Sequence, residues 1–197
     1  MKLRRATQIE KVLGYKFHDI KILNLALTHQ SVVEEHGASY QRLEFLGDAL
    51  LSFIVGEWLY NKYPDVPEGG LTEMRRILVN SEALAKIARF ISIEKFVHID
   101  NGSFPGALND SLLCDVFESI VAAVYLDSGL EKARKFIESS LLTNADILLN
   151  SPSFINYKGQ LLELIQSRGK HLKYEILDTE GPKHRIFFKI GVYIDNN

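Results

Sequence analysis

Two strongly apolar helical stretches of this chain each contain a pair of carboxylates, and this combination constrains the fold more than any other feature. The first stretch, LEFLGDALL at residues 43–51, holds Glu44 and Asp48; the second, LLCDVFESIV at residues 112–121, holds Asp115 and Glu118. Residues three or four positions apart share one face of a helix. Each pair is therefore expected to point in a single direction.

An ionised carboxylate buried without a partner costs several kcal/mol, and neither stretch contains Lys or Arg. One interpretation is that both pairs face solvent. This fits Asp115 poorly, because between Leu112 and Leu126 only Asp115, Glu118 and Ser119 are neither apolar nor aromatic. Two such pairs favour a shared acidic site instead, and hard oxygen ligands without a helical His nearby suit Mg²⁺ or Mn²⁺.

The length and composition indicate an intracellular protein with one substantial core and a small appendage. The chain has 197 residues, of which 46% are hydrophobic, and it has neither a long uncharged apolar run nor a leader pattern. We therefore expect no membrane insertion, and the cytoplasm and the nucleus both stay open. The lone Cys114 excludes an internal disulfide and is most simply a core thiol. A net charge of −2 argues against binding nucleic acid by bulk charge alone, although it permits a local basic face.

Up to about Asn150 the apolar periodicity is helical. We expect a helix to begin near Leu71, with Thr72 as its N-cap, and Asp110 or Ser111 to cap the second acidic helix. The other predicted helices cover residues 9–13, 20–27, 41–60, 80–91 and 130–149, with a loop over 98–109.

The character of the sequence changes around Asn150-Ser151-Pro152-Ser153, which predicts a domain boundary there. The two predicted domains are residues 1–150 and 151–197. In the second, residues 157–168 look helical, and alternating patterns predict strands over 173–177 and 185–194 with a turn at Gly181-Pro182. An α-β-β element of this size is expected to be only marginally stable by itself.

The segment QRLEFLGDA at residues 41–49 resembles the signature of the ribonuclease III family, which includes the nuclease domains of Dicer. Supporting matches are ALTHQS at 26–31, residues 71–80, and DVFES at 115–119 leading to AVYLD at 123–127. The resemblance covers most of residues 5–145 in the family's order. It implies an all-helical nuclease domain that acts as a homodimer, with Phe45 inserted into the partner subunit.

By this resemblance, Glu44, Asp48, Asp115 and Glu118 match the family's catalytic, metal-binding carboxylates. The implied activity is Mg²⁺-dependent cleavage of both strands of double-stranded RNA, with Mn²⁺ as a substitute. The products would have 5′-phosphate and 3′-hydroxyl ends and short 3′ overhangs, in RNA processing or silencing. Two departures are Gln41, where many bacterial members have Glu and Dicer-like members have Gln, and Ser111, near which some members have Lys.

In the C-terminal segment, Tyr157-Lys158 with Leu161, Glu163 and Gln166 resembles the first helix of a double-stranded RNA-binding domain, and Gly181-Pro182-Lys183-His184 resembles its minor-groove loop. We expect this segment to be a truncated domain that lacks the usual third strand and Lys-rich last helix. Leu162 stands where a polar Gln is common. Duplex RNA is read mainly through shape, phosphate and 2′-hydroxyl contacts, so half of such a module should bind weakly. The candidate RNA-contacting residues are Arg75, Arg76, Lys158, Glu163, Lys183, His184 and Arg185; for the first two, a solvated basic face is the alternative.

Three alternatives are weighed against this interpretation. A binding relative that uses the fold without cutting is supported by loss of the carboxylates, which are retained here. A di-iron helix bundle needs Glu-x-x-His pairs, but Gly47 and Val121 stand three residues after Glu44 and Glu118. His29 is a possible general base, although a structural role at a helix end is the simpler interpretation.

Overall fold

The computed structural model describes residues 3–33, 39–100, 108–151, 157–181 and 186–195. It divides into two compact units, Met1–Ser151 and Pro152–Asn197. The predicted mainly helical fold class is confirmed, since the first unit is built from helices and the second from one helix and two strands. Among the described residues, no helix is both long enough and apolar enough to cross a membrane.

The described residues of the first unit form eight α-helices and three 3-10 turns. The helices are α1 (Leu3–Leu13), α2 (Ile20–Ala26), α3 (Gln41–Lys62), α4 (Glu68–Leu78), α5 (Ser81–Phe90), α6 (Asp110–Ser128), α7 (Leu130–Ser140) and α8 (Ala145–Leu149). The 3-10 turns are Gln30–Val32, Ile93–Lys95 and Leu142–Asn144.

Helix α6 lies at the centre of the first unit. Every residue from Leu112 to Val124 except Asp115 is buried, and α6 packs against α2, α3, α5 and α7. A helix that is apolar on all sides is stable only when other elements surround it. This position explains the composition of the second acidic stretch, and it means that Glu118 belongs to a buried helix.

Helices α3 and α6 lie very close to each other at Gly47. A Cβ atom built on Gly47 would clash with the backbone carbonyl oxygen of Glu118, and this oxygen cannot move without moving α6. Glycine inside a helix costs roughly 0.5–1 kcal/mol relative to alanine. Here its missing side chain lets the helix that carries Glu44 and Asp48 touch the helix that carries Glu118.

The C-terminal end of α6 is fixed to the loop between α1 and α2 by Asp127. Its carboxylate accepts hydrogen bonds from the Tyr15 hydroxyl at 2.5 Å, the Asp19 backbone N–H at 2.8 Å and the His18 backbone N–H at 3.0 Å. Burial raises the pKa of Asp127, but these hydrogen bonds outweigh burial and hold the pKa well below its usual range. The carboxylate therefore stays ionised and fastens the N-terminal helices to α6.

Two predicted helix starts are wrong. Helix α4 begins at Glu68, directly after the extended Pro67, so Thr72 lies inside it and donates to Glu68 Oε1 at 3.0 Å. The N-cap of α6 is Asn109, whose side chain accepts from the Leu112 N–H at 2.9 Å, and is neither Asp110 nor Ser111.

The single helix predicted for residues 130–149 is interrupted at Leu141. Polar side chains around the break bond to backbone carbonyls: Ser140 Oγ to Phe136 O at 2.6 Å and Thr143 Oγ1 to Glu138 O at 2.9 Å. Short polar side chains that bond locally in this way compete with helical hydrogen bonds. The apolar periodicity continues through the break, which is why the sequence pattern does not reveal it.

The described residues of the second unit form α9 (Tyr157–Ser167) and an antiparallel pair, β1 (Leu172–Glu180) and β2 (Phe187–Ile194). Leu172 pairs with Ile194 and Glu180 with Phe187, with an irregularity between Ile176 and Asp178. Several large apolar side chains are exposed on these strands: Ile176, Leu177, Phe187, Phe188, Ile190 and Val192. At the predicted turn, Gly181 has a φ of 103°, which favours glycine, whereas Pro182 lies outside the described residues.

Candidate active site

Helices α3 and α6 bring the four predicted carboxylates close enough to influence one another. The negative charges of Asp115 and Asp48, after burial, raise the pKa of Glu44. Those of Asp48, Asp115 and Glu44 likewise add to burial in raising the pKa of Glu118. The two pairs, which are about 70 residues apart in sequence, therefore form one acidic cluster in the fold.

Glu118 is the most buried member of the cluster, with 9% of its surface exposed. Burial is the main cause that raises its pKa from 4.5 to about 7, and the neighbouring carboxylates add to it. Its Oε1 atom accepts a weak hydrogen bond from Cys114 Sγ at 3.5 Å. The interpretation that both pairs simply face solvent is wrong for this residue.

The other three carboxylates are less buried, since Glu44 and Asp115 are intermediate and Asp48 is exposed. Burial raises the pKa of Asp115, whereas the Tyr40 hydroxyl, 3.4 Å from Asp115 Oδ2, and the charge of His29 oppose the rise. The cluster therefore has a buried end at Glu118 and an open end at Asp48, which leaves one side of it accessible from solvent.

His29 lies beside the cluster and begins the 3-10 turn at Gln30–Val32. Its Nδ1 atom accepts the Ser31 N–H at 3.0 Å, and its backbone N–H donates to His98 O at 2.9 Å. Burial lowers the pKa of His29, and the charge of Asp115 opposes that effect only in part. A neutral imidazole that caps a turn corresponds to the structural role predicted for this residue.

In the part of the chain that the structure describes, no Lys or Arg side chain lies within 4.0 Å of any of these four carboxylates. Ligand atoms of Cys114, Asp115 and Glu118 all lie within 4.8 Å of one another. Burial and the nearby carboxylates raise the pKa of the Cys114 thiol to about 12, so it stays protonated. The available ligands are therefore carboxylate oxygens, a donor set that fits a hard divalent cation such as Mg²⁺.

The two departures from the family pattern lie at the starts of α3 and α6. Gln41 Nε2 donates to Gln30 Oε1 at 3.0 Å, so the neutral side chain joins α3 to the preceding 3-10 turn. Ser111 is exposed in the first turn of α6. Neither residue supplies a charge to the cluster.

The structure gives mixed surroundings to the predicted RNA-contacting residues. Arg76 is held by Glu73 through two hydrogen bonds of 2.6 and 2.7 Å. Arg75 is exposed and lines a cavity of about 660 Å³ between α3 and α4. Lys158 Nζ lies 4.4 Å from the centre of the Tyr174 ring. Glu163 is exposed, and Lys183, His184 and Arg185 lie outside the described residues. An RNA contact by any of the seven stays a prediction.

Three residues that shape the cluster are missing from the sequence-based prediction of the site. Cys114 precedes Glu118 by four positions, so helical spacing alone places it on the same face. Gly47 lies between two carboxylates of α3, and a glycine inside a long helix indicates a close approach. Tyr40 carries no such signal, because its contact with Asp115 depends on the packing of two distant segments.

Comparison with known proteins supports a nuclease assignment. A sequence model of the family described as Ribonuclease-III-like matches residues 19–145. The chain is 38% identical to "Ribonuclease 3" of Enterococcus faecalis over 196 residues, which cover 96% of this chain and 85% of that relative. The chain belongs to the ribonuclease III family. Membership assigns it to the ribonuclease III-type endonucleases, as predicted.

Solved structures of ribonuclease III proteins agree with the fold. The nuclease domain of ribonuclease III from Campylobacter jejuni has a TM-score of 0.65 and 35% identity, over 73% of this chain and 97% of that one. Dicer from Giardia intestinalis has a TM-score of 0.57 and 27% identity, over 71% of this chain and 19% of that chain. The predicted resemblance to both branches of the family is therefore confirmed.

Proposed function

We propose that this chain is a Mg²⁺-dependent endonuclease that cleaves both strands of double-stranded RNA. The observation that carries the proposal is the acidic cluster of α3 and α6, in which a buried Glu118 lies among carboxylates that form no ion pair with Lys or Arg within the described residues. Such a cluster costs stability unless a cation occupies it. The products would have 5′-phosphate and 3′-hydroxyl ends with short 3′ overhangs, and Mn²⁺ would substitute for Mg²⁺.

In this proposal Glu44, Asp48, Asp115 and Glu118 hold the cations. Bound divalent ions supply an activated water, charge neutralisation on the phosphate and stabilisation of the leaving oxygen. The protein contributes the geometry: α6 fixes Asp115 and Glu118 from a rigid core helix, and Gly47 lets α3 bring Glu44 and Asp48 against them. Burial and the neighbouring carboxylates raise the pKa of Glu118 to about 7, so this residue would have to be deprotonated to hold a cation.

Cleavage of both strands requires two acidic clusters, so the proposal includes a homodimer. Phe45 is 82% exposed on α3, next to Glu44, which is unusual for a large aromatic side chain. A structure of the Campylobacter jejuni nuclease domain concerns a region involved in dimer formation in that protein. We propose that Phe45 lies at a dimer contact of this chain, where it would insert into the partner subunit.

Duplex RNA would lie across the two acidic clusters, with further contacts from the second unit. Arg75, Arg76, Lys158, Glu163, Lys183, His184 and Arg185 are the proposed contacts. Of these, Arg76 must break its ion pair with Glu73 before it can bind phosphate, which reduces the binding free energy gained from that contact. The RNA served in the cell, in processing or in silencing, is left open by this proposal.

The alternative is a catalytically weak or inactive double-stranded RNA-binding relative. Gln41 favours it, because this neutral side chain is bonded to Gln30 at a position where many bacterial members have Glu. The two proposals differ in one measurable outcome. The alternative predicts RNA binding without metal-dependent cleavage.

The experiment is incubation of an end-labelled RNA duplex with the chain in Mg²⁺ or in EDTA, followed by sizing of the products on both strands. Asp115→Asn and Glu118→Gln keep side-chain size while removing charge. Loss of one transition-state stabiliser costs about two to three orders of magnitude in rate. We expect at least that loss for each variant and no loss for Glu138→Gln, an exposed carboxylate on α7. Wild-type rates in both site variants would refute the assignment of the site.

A further inference from the structure

We propose that Tyr40 is a positioning residue, whose hydroxyl orients the Asp115 carboxylate for cation binding. This inference deepens the proposed function and rests on it. Neither the family signature nor helical spacing points to Tyr40, which immediately precedes α3. Its role follows from the contacts of its backbone and its side chain.

The backbone of Tyr40 joins two segments that border the acidic cluster. Its carbonyl oxygen accepts the N–H groups of Leu43 at 2.8 Å and Glu44 at 2.9 Å, so it closes the first turn of α3. Its own N–H donates to Thr28 O at 3.0 Å. Tyr40 is thereby held on both sides, and its position relative to Glu44 is fixed by the first turn of the helix.

The side chain of Tyr40 extends from this anchored backbone to the other acidic helix. The residue is only 4% exposed, and its ring packs against His29 with centroids 5.7 Å apart. The hydroxyl reaches Asp115 Oδ2 at 3.4 Å. Tyr40 thus links the start of α3, which carries Glu44, to the Asp115 side chain on α6.

The chemistry of this contact suits a group that orients a metal ligand. A tyrosine hydroxyl donates one hydrogen bond, so it engages Oδ2 and does not itself occupy Oδ1. The distance is longer than the usual 2.7–2.8 Å for such a bond, so the contact contributes little to the stability of the metal-free protein. Its value lies in orientation, because partners of metal ligands that fix ligand geometry are typically worth about 10- to 100-fold in affinity.

The test replaces one hydroxyl in the full-length chain. Tyr40→Phe keeps the buried ring and removes only the donor. Titration calorimetry with Mg²⁺ alone, without RNA, should show binding weakened by about 10-fold or more. The Mg²⁺ concentration that gives half-maximal cleavage should rise by the same factor, whereas kcat at saturating Mg²⁺ should fall much less.

Tyr15→Phe is a matched control, since it also removes a tyrosine hydroxyl bonded to a carboxylate of the same unit, Asp127, at 2.5 Å. We expect it to lower the Tm in EDTA and to leave Mg²⁺ affinity unchanged. Tyr40→Phe should leave the Tm in EDTA nearly unchanged and weaken Mg²⁺ binding. Equal loss of Mg²⁺ affinity in both variants would reduce the effect to general destabilisation and overturn the inference.

A double-mutant cycle shows whether Tyr40 acts through Asp115. In an Asp115→Asn background, Tyr40→Phe should cause little further loss of Mg²⁺ affinity, because the group that it orients is already altered. An undiminished effect in that background would contradict the inference. If the wild-type chain binds Mg²⁺ and Tyr40→Phe binds it equally well, only this inference fails; if Mg²⁺ does not bind the wild-type chain, the proposed function fails first.

Discussion

Glu118 illustrates at the residue scale how the proposed activity conflicts with stability. A carboxyl group that would be most stable in water is buried at the centre of the core helix, and its pKa of about 7 reflects that cost. A cation that binds the folded state would increase the free energy of unfolding and so offset the cost of burying these carboxylates. We therefore expect the cluster to be the least stable part of the metal-free core.

This conflict leads to a prediction about pH in EDTA. Because the pKa of Glu118 is about 7 when folded and about 4.5 when unfolded, the folded state binds the proton more tightly between those values. The free energy of unfolding should therefore fall as pH rises from about 4.5 to about 7, by an amount on the order of 3 kcal/mol. Glu118→Gln should remove most of this fall and be more stable than the wild type at pH 8.

Urea unfolding at pH 5 and pH 8 in EDTA measures the effect as a difference between two proteins. Glu44 and Asp115, whose pKa values burial also raises, contribute in the same direction in both. Glu138→Gln is the control, and its pH dependence should match the wild type. An unchanged fall in Glu118→Gln would contradict the burial of an ionisable Glu118 described here.

The sequence reveals some residues of the site and hides others for a physical reason. Carboxylates in an apolar run are conspicuous, because charged side chains are rarely buried without a partner and the run can be read from consecutive residues. The contact between Tyr40 and Asp115 joins residues 75 positions apart, so it exists only after α3 and α6 have packed. Local pattern can therefore identify candidate ligands, whereas a residue proposed to orient them, such as Tyr40, appears only in the fold.

At the scale of elements, helix interiors were predictable and helix ends were less so. Apolar periodicity located α1, α2, α3 and α5, because burial of one face is a property of many residues together. The end of a helix depends on one or two hydrogen bonds, as at Asn109, where the side chain caps α6 in place of its neighbours. Single bonds of this kind contribute about 1 kcal/mol, too little to leave a pattern in composition.

The packing of α3 on α6 gives a second prediction. Gly47→Ala places a methyl group against the Glu118 backbone, so the helices must separate. Overpacking of a core costs typically 1–3 kcal/mol, occasionally more. We expect destabilisation of at least that size, measured by urea unfolding, and strongly reduced cleavage because the two carboxylate pairs move apart.

Gly56→Ala is the matched control on the same helix. A Cβ at that position meets only the Arg75 side chain at 3.8 Å, which is ordinary contact. The higher helix propensity of alanine should make this variant neutral or more stable by up to about 1 kcal/mol. Similar stability for both variants would show that the close approach at Gly47 does not constrain the two helices.

At the scale of the whole molecule, the exposed Phe45 predicts the oligomeric state. Phe45→Glu places a charge where a partner subunit is proposed to pack, so the variant should be a monomer with intact helical circular dichroism. Phe90→Glu, at another exposed aromatic residue, is the control for adding a charge. Analytical ultracentrifugation distinguishes monomer from dimer. A folded Phe45→Glu variant that sediments as a dimer would refute the proposed insertion of Phe45 into the partner subunit.

The last prediction concerns the second unit, whose short helix and two strands leave large apolar side chains exposed, including Ile176 at 63%. The basic residues proposed to contact RNA in this unit are Lys158, Lys183, His184 and Arg185, and each phosphate contact lowers the logarithmic salt slope of binding by about 0.9 on a DNA-like duplex. The first unit has its own buried core around α6.

Deleting residues 153–197 should therefore weaken RNA binding mainly at moderate salt, make the salt dependence of binding slightly less steep, and leave cleavage of a long duplex detectable at low salt. Filter binding across a salt series and the cleavage assay measure the two effects. Complete loss of cleavage at low salt in a folded, dimeric 1–152 chain would mean that the second unit is essential for engaging the duplex.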